Sequence, residues 1–171
     1  MSRRTVVLAG LCLALFVQAP PAVAQGLAER VATAPDGWVR FAYEAREGVC
    51  GNGDWISTGG DPGSRVDCDC ACREGPVRIE LRVEGGEILD LDTEVGGTWQ
   101  DRRGEITNLG EIPPAEAVAL LFRIAETAEE DVAEDAIFPA TIARDVETWP
   151  RLLEIARGSA PADVRRQAVF W

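Results

Sequence analysis

The cleanest pattern in the chain is Val77-Arg78-Ile79-Glu80-Leu81-Arg82-Val83, where apolar and charged residues alternate without a break. Period-two alternation predicts a half-buried strand, with Val77, Ile79, Leu81 and Val83 on one face and Arg78, Glu80 and Arg82 on the other. Gly85-Gly86 follows. A second run then places Leu89, Leu91, Thr93 and Val95 against Asp90, Asp92 and Glu94. Two alternating runs around Gly-Gly predict a β-hairpin. Upstream, Trp38 to Ala45 is rich in aromatic and β-branched residues and predicts another strand, with Val39, Phe41 and Tyr43 on one face. Residues 46–75 are crowded with Gly, Asp, Asn and Ser and read as one long loop, a length that calls for a staple or a function. Thr98-Trp99 and Ile106 to Leu109 read as short edge pieces.

Helical spacing begins after Ile112-Pro113-Pro114. Ala117, Val118, Leu120, Leu121, Ile124 and Ala125 fall on one side of a helix over 115–128. A second helix is expected from the acidic stretch Glu129 to Glu134, taking in Ile137 and Phe138 and continuing towards Val146. Thr148-Trp149-Pro150 reads as a helix start capped by Thr148. Trp149, Leu152, Leu153, Ile155 and Ala156 line that helix, and Gly158 ends it. The last helix opens at Ser159-Ala160-Pro161, with Val164, Ala168, Val169 and Trp171 as its apolar side. The expected fold class is therefore α+β: a small antiparallel β-sheet with a central hairpin over residues 25–112, then helices over residues 113–171.

The first 24 residues stand apart. Met1-Ser2-Arg3-Arg4 is basic, Thr5 to Val17 is apolar and uncharged, and Ala22-Val23-Ala24 places small residues where a signal peptidase reads. Residues 1–24 thus read as a cleavable export signal, which sends the chain to the periplasm or the outside. The apolar run falls short of the roughly 20 residues a bilayer span requires. No membrane insertion is expected after cleavage.

Charge and composition narrow the function. The formal net charge is −12, and losing Arg3 and Arg4 makes it two units more negative. So acidic a chain repels phosphate backbones, and no nucleic-acid partner is expected. Histidine is absent from the whole chain. That removes Ser-His-Asp and Cys-His catalysis, and with them the usual general base near neutral pH. No catalytic motif is evident and no cofactor is expected. Asp90, Asp92 and Glu94 share a strand face and are read as its wet side rather than as a calcium site. Asn52-Gly53-Asp54 reads as a turn.

Cys50, Cys68, Cys70 and Cys72 remain after the leader, an even number that suggests disulfides in an exported protein. Cys50 with Cys72 is the natural staple, tying the end of the first strand to the start of the hairpin and closing the long loop, worth about 3 kcal/mol in the chain-entropy model. Cys68-Asp69-Cys70 then carries three readings: a strained structural disulfide, a reversible dithiol, or part of a metal site with Cys72.

The C-terminal residues carry a resemblance. Trp149-Pro150-Arg151-Leu152-Leu153-Glu154-Ile155-Ala156-Arg157, a short turn, and Ala162-Asp163-Val164-Arg165-Arg166-Gln167-Ala168-Val169 resemble a HEAT-type helical repeat over residues 147–171. Asp163, Val164-Arg165 and Ala168 match positions the repeat uses for close helix packing and bridging between neighbours. With the export signal and the β-rich front end, the layout is similar to bacterial exported HEAT-repeat proteins. The resemblance implies a protein–protein binding scaffold with another protein as partner. Solenoids need about three copies, so it also implies either further repeats or a helix pair packed on the β part. The alternative is a periplasmic thiol-redox or metal-binding protein using Cys68, Cys70 and Cys72.

Overall fold

The computed structural model describes residues 25–59 and 72–171. The export signal over 1–24 and the pair Cys68 and Cys70 lie outside the described residues. The chain is α+β. In order it forms α1 (Leu27–Ala32), β1 (Gly37–Tyr43), β2 (Cys50–Asn52), β3 (Trp55–Ser57), β4 (Val77–Glu84), β5 (Glu87–Val95) and β6 (Ile106–Glu111). The helices α2 (Pro114–Thr127), α3 (Glu130–Asp135), α4 (Ile137–Thr141), α5 (Trp149–Arg157) and α6 (Ala162–Phe170) follow.

The β4–β5 hairpin forms as the alternation predicts. Gly85 and Gly86 both take positive φ, +60° and +82°, the combination a two-residue hairpin turn demands and glycine supplies without strain. The register then slips once: Val83 pairs with Ile88 but Arg82 pairs with Asp90. Leu89 is the extra residue of this bulge and stands 43 % exposed, so Ile88 takes the inner place the alternation assigns to Leu89. Beyond the bulge, Leu91, Thr93 and Val95 face inward opposite Leu81, Ile79 and Val77.

Four strands pair in the order β5-β4-β1-β6. β4 runs antiparallel to β1 and to β5, but β6 lies parallel to β1, so the sheet is mixed rather than wholly antiparallel. The reason is topological. β5 and β6 occupy opposite edges, so residues 96–105 must cross the sheet to join them. They cross over the charged face, and the helices pack on the apolar one. The long loop predicted over 46–75 is also corrected: β2 and β3 form a small antiparallel hairpin in it, turning at Gly53-Asp54 and bridging Gly53 to Val95 at the end of β5.

One apolar core joins sheet and helices. Val39, Phe41, Ile79 and Leu81 from the strands are fully buried beside Leu121, Ile137 and Ile142. α2 presents Ala117, Val118, Leu121, Ile124 and Ala125 to this core, the stripe its spacing predicts. α1 closes one end: Leu27 and Val31 are buried, and the Leu27 amide donates to Glu116 at 2.6 Å. The second predicted helix breaks in two at Ala136 and stops at Thr141. Ala143 instead makes an isolated β-bridge to Ala45, and a turn at Arg144-Asp145 follows, so the stretch towards Val146 is not helical.

Candidate functional site

The charged face of the sheet is the first surprise. Arg78, Glu80 and Glu94 are buried at 6 %, 0 % and 2 % exposure, where the alternation predicts a wet face. Pairing sets Arg40, Glu80 and Asp92 side by side across three strands, and Arg78 beside Glu94. Arg40 Nε donates to Glu80, and Arg102 Nε donates to the other Glu80 oxygen at 3.0 Å while its Nη2 pairs with Asp92. Arg78 Nη2 reaches Glu94 at 2.9 Å, and Gln100 Nε2 donates to the second Glu94 oxygen at 2.7 Å. The crossing segment supplies the roof: Trp99 lies against the guanidiniums of Arg40 and Arg78 at 5.3 Å and 5.4 Å. Arg102 covers Trp38 at 4.0 Å. Both oxygens of Glu80 and of Glu94 are used and cation–π contacts cover the guanidiniums, though the buried Arg78 Nε has no hydrogen-bond partner. Burial pulls the Arg102 guanidinium towards its neutral form, but bonding and attraction from Glu80 and Asp92 outweigh that and raise its pKa. Asp92 and Glu94 are therefore parts of an ion-pair lattice, while Asp90 is exposed as the alternation predicts and accepts from the Leu91 amide; among the described residues no group of three ligand-type side chains is set to hold a metal ion.

The cysteines resolve in part. Cys50 and Cys72 form a disulfide with Cα atoms 5.2 Å apart, both buried. Antiparallel bonds between Gly51 and Arg73, 3.0 Å in each direction, run alongside it. The neighbourhood is tight: a Cβ on Gly51 would stand 2.6 Å from the Trp55 carbonyl and 2.7 Å from that of Val95. The bond removes Cys72 from the thiolate set Cys68, Cys70 and Cys72. Such a staple fits an oxidising compartment. No helix of the described residues is long and apolar enough to cross a membrane.

The second unusual surface is the α5–α6 pair. Four residues join the two helices, which pack against each other as an α-hairpin. Its inner side is built as the periodicity predicts, with Leu152, Ile155, Val164 and Ala168 buried. Gln167 Nε2 donates to Glu134 at 2.7 Å and Arg151 Nη2 pairs with Glu126 at 2.7 Å, so the hairpin docks on α3 and α2. Trp171 packs on Phe138 of α4 at 4.8 Å between ring centres. The residues matching the helical repeat do local work. Asp163 pairs with Arg166 one turn on at 2.6 Å, and Arg165 donates to the Ala160 carbonyl at 2.9 Å. Thr148 makes no side-chain cap; Pro150 in the first turn starts α5 instead.

The outer side departs from the sequence reading. Trp149 is 61 % exposed, Val169 and Phe170 each 73 %, with Leu153 and Trp171 near 40 %. The start of α5 and the end of α6 lie at the same end of the hairpin, which gathers most of these residues. Phe170 and Trp171 meet edge to face at 4.9 Å. Apolar periodicity put Trp149, Leu153 and Val169 on the apolar sides of their helices, and nothing in the described residues covers them. Their surroundings also differ in charge: residues 147–171 hold four arginines against three acids, in a chain of net charge −12. No family model, curated protein or solved structure matches the chain.

Proposed function

We propose that this chain is an exported protein–protein binding or scaffold module, and that it meets its partner on the exposed side of the α5–α6 hairpin. The observation that carries the reading is the exposure of Trp149, Leu153, Val169, Phe170 and Trp171 on one helix pair, with Phe170 and Trp171 in contact. Large apolar groups gathered on a surface mark contact sites more often than isolated ones do, and tryptophan is prominent among residues that dominate binding energy. The near-neutral charge of the hairpin supports it, because approach there meets less repulsion than elsewhere. On this reading the hairpin is a HEAT-type repeat, and residues 1–24 are the signal that exports it.

Site-directed photo-crosslinking tests the proposal. A photoreactive residue at Val169 should give a discrete protein adduct in the native compartment, and one at Glu87 on the β4–β5 turn should not. Equal adduct patterns from both positions would sink the reading. A second reading rests on the pairing itself: once Cys50 and Cys72 are joined, Cys68 and Cys70 are the two sulfurs left beyond the leader, available as a redox dithiol. Intact mass with and without alkylation separates the two, since free or readily reduced Cys68 and Cys70 would favour thiol chemistry.

A further inference from the structure

The exposed side of α5 carries one stripe. Trp149, Leu153 and Arg157 are spaced four residues apart, so they stand one above another on the helix surface. All three are exposed, while Leu152 and Ile155 are turned into the protein and buried. The Trp149 indole N–H donates to Glu147 at 2.8 Å, which sets a carboxylate beside the ring. Arg151 is paired with Glu126 and Glu154, and Arg166 with Asp163, but Arg157 forms no ion pair among the described residues. One end of the stripe is thus an aromatic ring with its carboxylate, the middle is apolar, and the other end is an unpaired cation.

Such a stripe is complementary to itself turned end for end. With two copies of α5 antiparallel about Leu153, each Arg157 comes over the Trp149 ring of the other copy, next to its Glu147. The two Leu153 side chains then meet on the two-fold axis. Mutual contact of this kind, in which one residue meets another and the second meets the first, defines the isologous interface of a two-fold dimer. Rows of residues four apart are also those that interdigitate in the commonest class of helix packing. Each end gains a cation–π contact and an ion pair. The wider charge distribution favours the same surface. Residues 25–146 hold 11 arginines against 26 acids, so two copies repel over most of their surface. The hairpin, with four arginines against three acids over 147–171, is where they approach with least repulsion. A basic partner would be drawn to the acidic body instead.

We propose, resting on the reading of the hairpin as a protein-binding surface, that its partner is a second copy of this chain, held as a two-fold dimer centred on Leu153. Val169 and Phe170, exposed at the Trp149 end of the hairpin, widen the contact.

The test is analytical ultracentrifugation of the exported, disulfide-intact chain at physiological salt, where long-range repulsion is largely screened. A reversible monomer–dimer equilibrium is expected. Arg157→Glu should weaken it about tenfold or more, because it turns one attraction at each end into repulsion, and Glu147→Arg should do the same. An equal mixture of these two variants should dimerise again, since each offers the other the opposite charge, and that recovery cannot come from misfolded chains. Arg46→Glu makes the same charge change on an exposed residue away from the hairpin and should leave the equilibrium within about twofold. A chain that stays monomeric up to about 100 μM overturns the dimer. So does a mixture that stays monomeric, or equal weakening by Arg46→Glu. The photo-crosslink at Val169 separates the dimer from the reading beneath it. An adduct of twice the chain mass is expected. An adduct with a different protein, from a chain that sediments as a monomer, overturns the dimer and leaves the binding surface standing. Equal patterns at Val169 and Glu87 overturn both.

Discussion

The charged face of the sheet and the outer face of the α5–α6 hairpin depart from the usual sorting of side chains in opposite directions. The sheet buries Glu80 and Glu94, and the hairpin exposes Trp149 and Phe170. What separates them is whether a partner within the chain is present. Each buried carboxylate has cations and donors on both oxygens. On the hairpin, Phe170 and Trp171 have each other and Phe138, and Trp149 only a bond from its indole N–H to Glu147. A polar group tolerates burial when its bonding capacity is met, and an apolar group tolerates exposure at little local cost, so only the second surface has something to gain from another molecule.

The strongest way to break this comparison is at Glu80. Glu80→Ala strands Arg40 against Trp99 and Arg102 over Trp38, and removing one partner of a buried ion pair costs about 3–5 kcal/mol. Urea denaturation should show that loss with little change in m-value. A cost under about 1 kcal/mol would mean that the grid is solvated in solution, like an ordinary exposed pair. The disulfide is the next largest lever on the sheet side. Cys50→Ser with Cys72→Ser should cost about 3 kcal/mol, read the same way, because the closed loop lies near the length for which chain entropy gives that figure.

On the hairpin, the contrast predicts an effect in function without one in stability. Val169→Ser with Phe170→Ser should change unfolding free energy by under about 0.5 kcal/mol, as surface changes do, while abolishing the photo-crosslinked adduct. A large loss of stability would place these residues in the packing of the chain itself.

The smallest expected effect lies between the two regions, at Asp135. Burial raises its pKa above the ordinary 3.8, and repulsion from Glu134, Asp90, Asp131 and Asp92 adds to it. A carboxylate raised in the folded state binds its proton more tightly there than in the unfolded chain. Its contribution to stability is therefore greatest in acid and declines as pH rises from the ordinary carboxylate value through the raised one. Asp135→Asn should raise the melting temperature slightly at pH 7, with the gain vanishing below about pH 4, where aspartate is itself neutral. An equal gain at both pH values would mean packing, not charge, is responsible.

Much of this was open to local reasoning. The β4–β5 hairpin, the α2 stripe and the closure of Cys50 with Cys72 follow from period, turn chemistry and loop closure, all of which act between near neighbours or through one covalent bond. Leu89 was misplaced because it is the extra residue of a bulge, which the alternation does not mark. Trp149, Leu153 and Val169 were grouped with the buried Leu152, Ile155 and Val164 because helical periodicity reports an apolar side without saying what covers it.

By itself the sequence determined the α+β class, the strands and helices with the clearest periods, and the strong acidity. These depend on backbone propensity, side-chain alternation and composition, which the order of residues specifies directly. Tertiary structure alone decided that Arg78, Glu80 and Glu94, among the alternating charges of β4 and β5, would be buried. With β5 and β6 on opposite edges, residues 96–105 had to cross the charged face, and they brought Trp99, Gln100 and Arg102 to satisfy it. Whether a side chain is wet depends on what the rest of the chain lays over it, and that is a property of the path through space, not of the pattern along it.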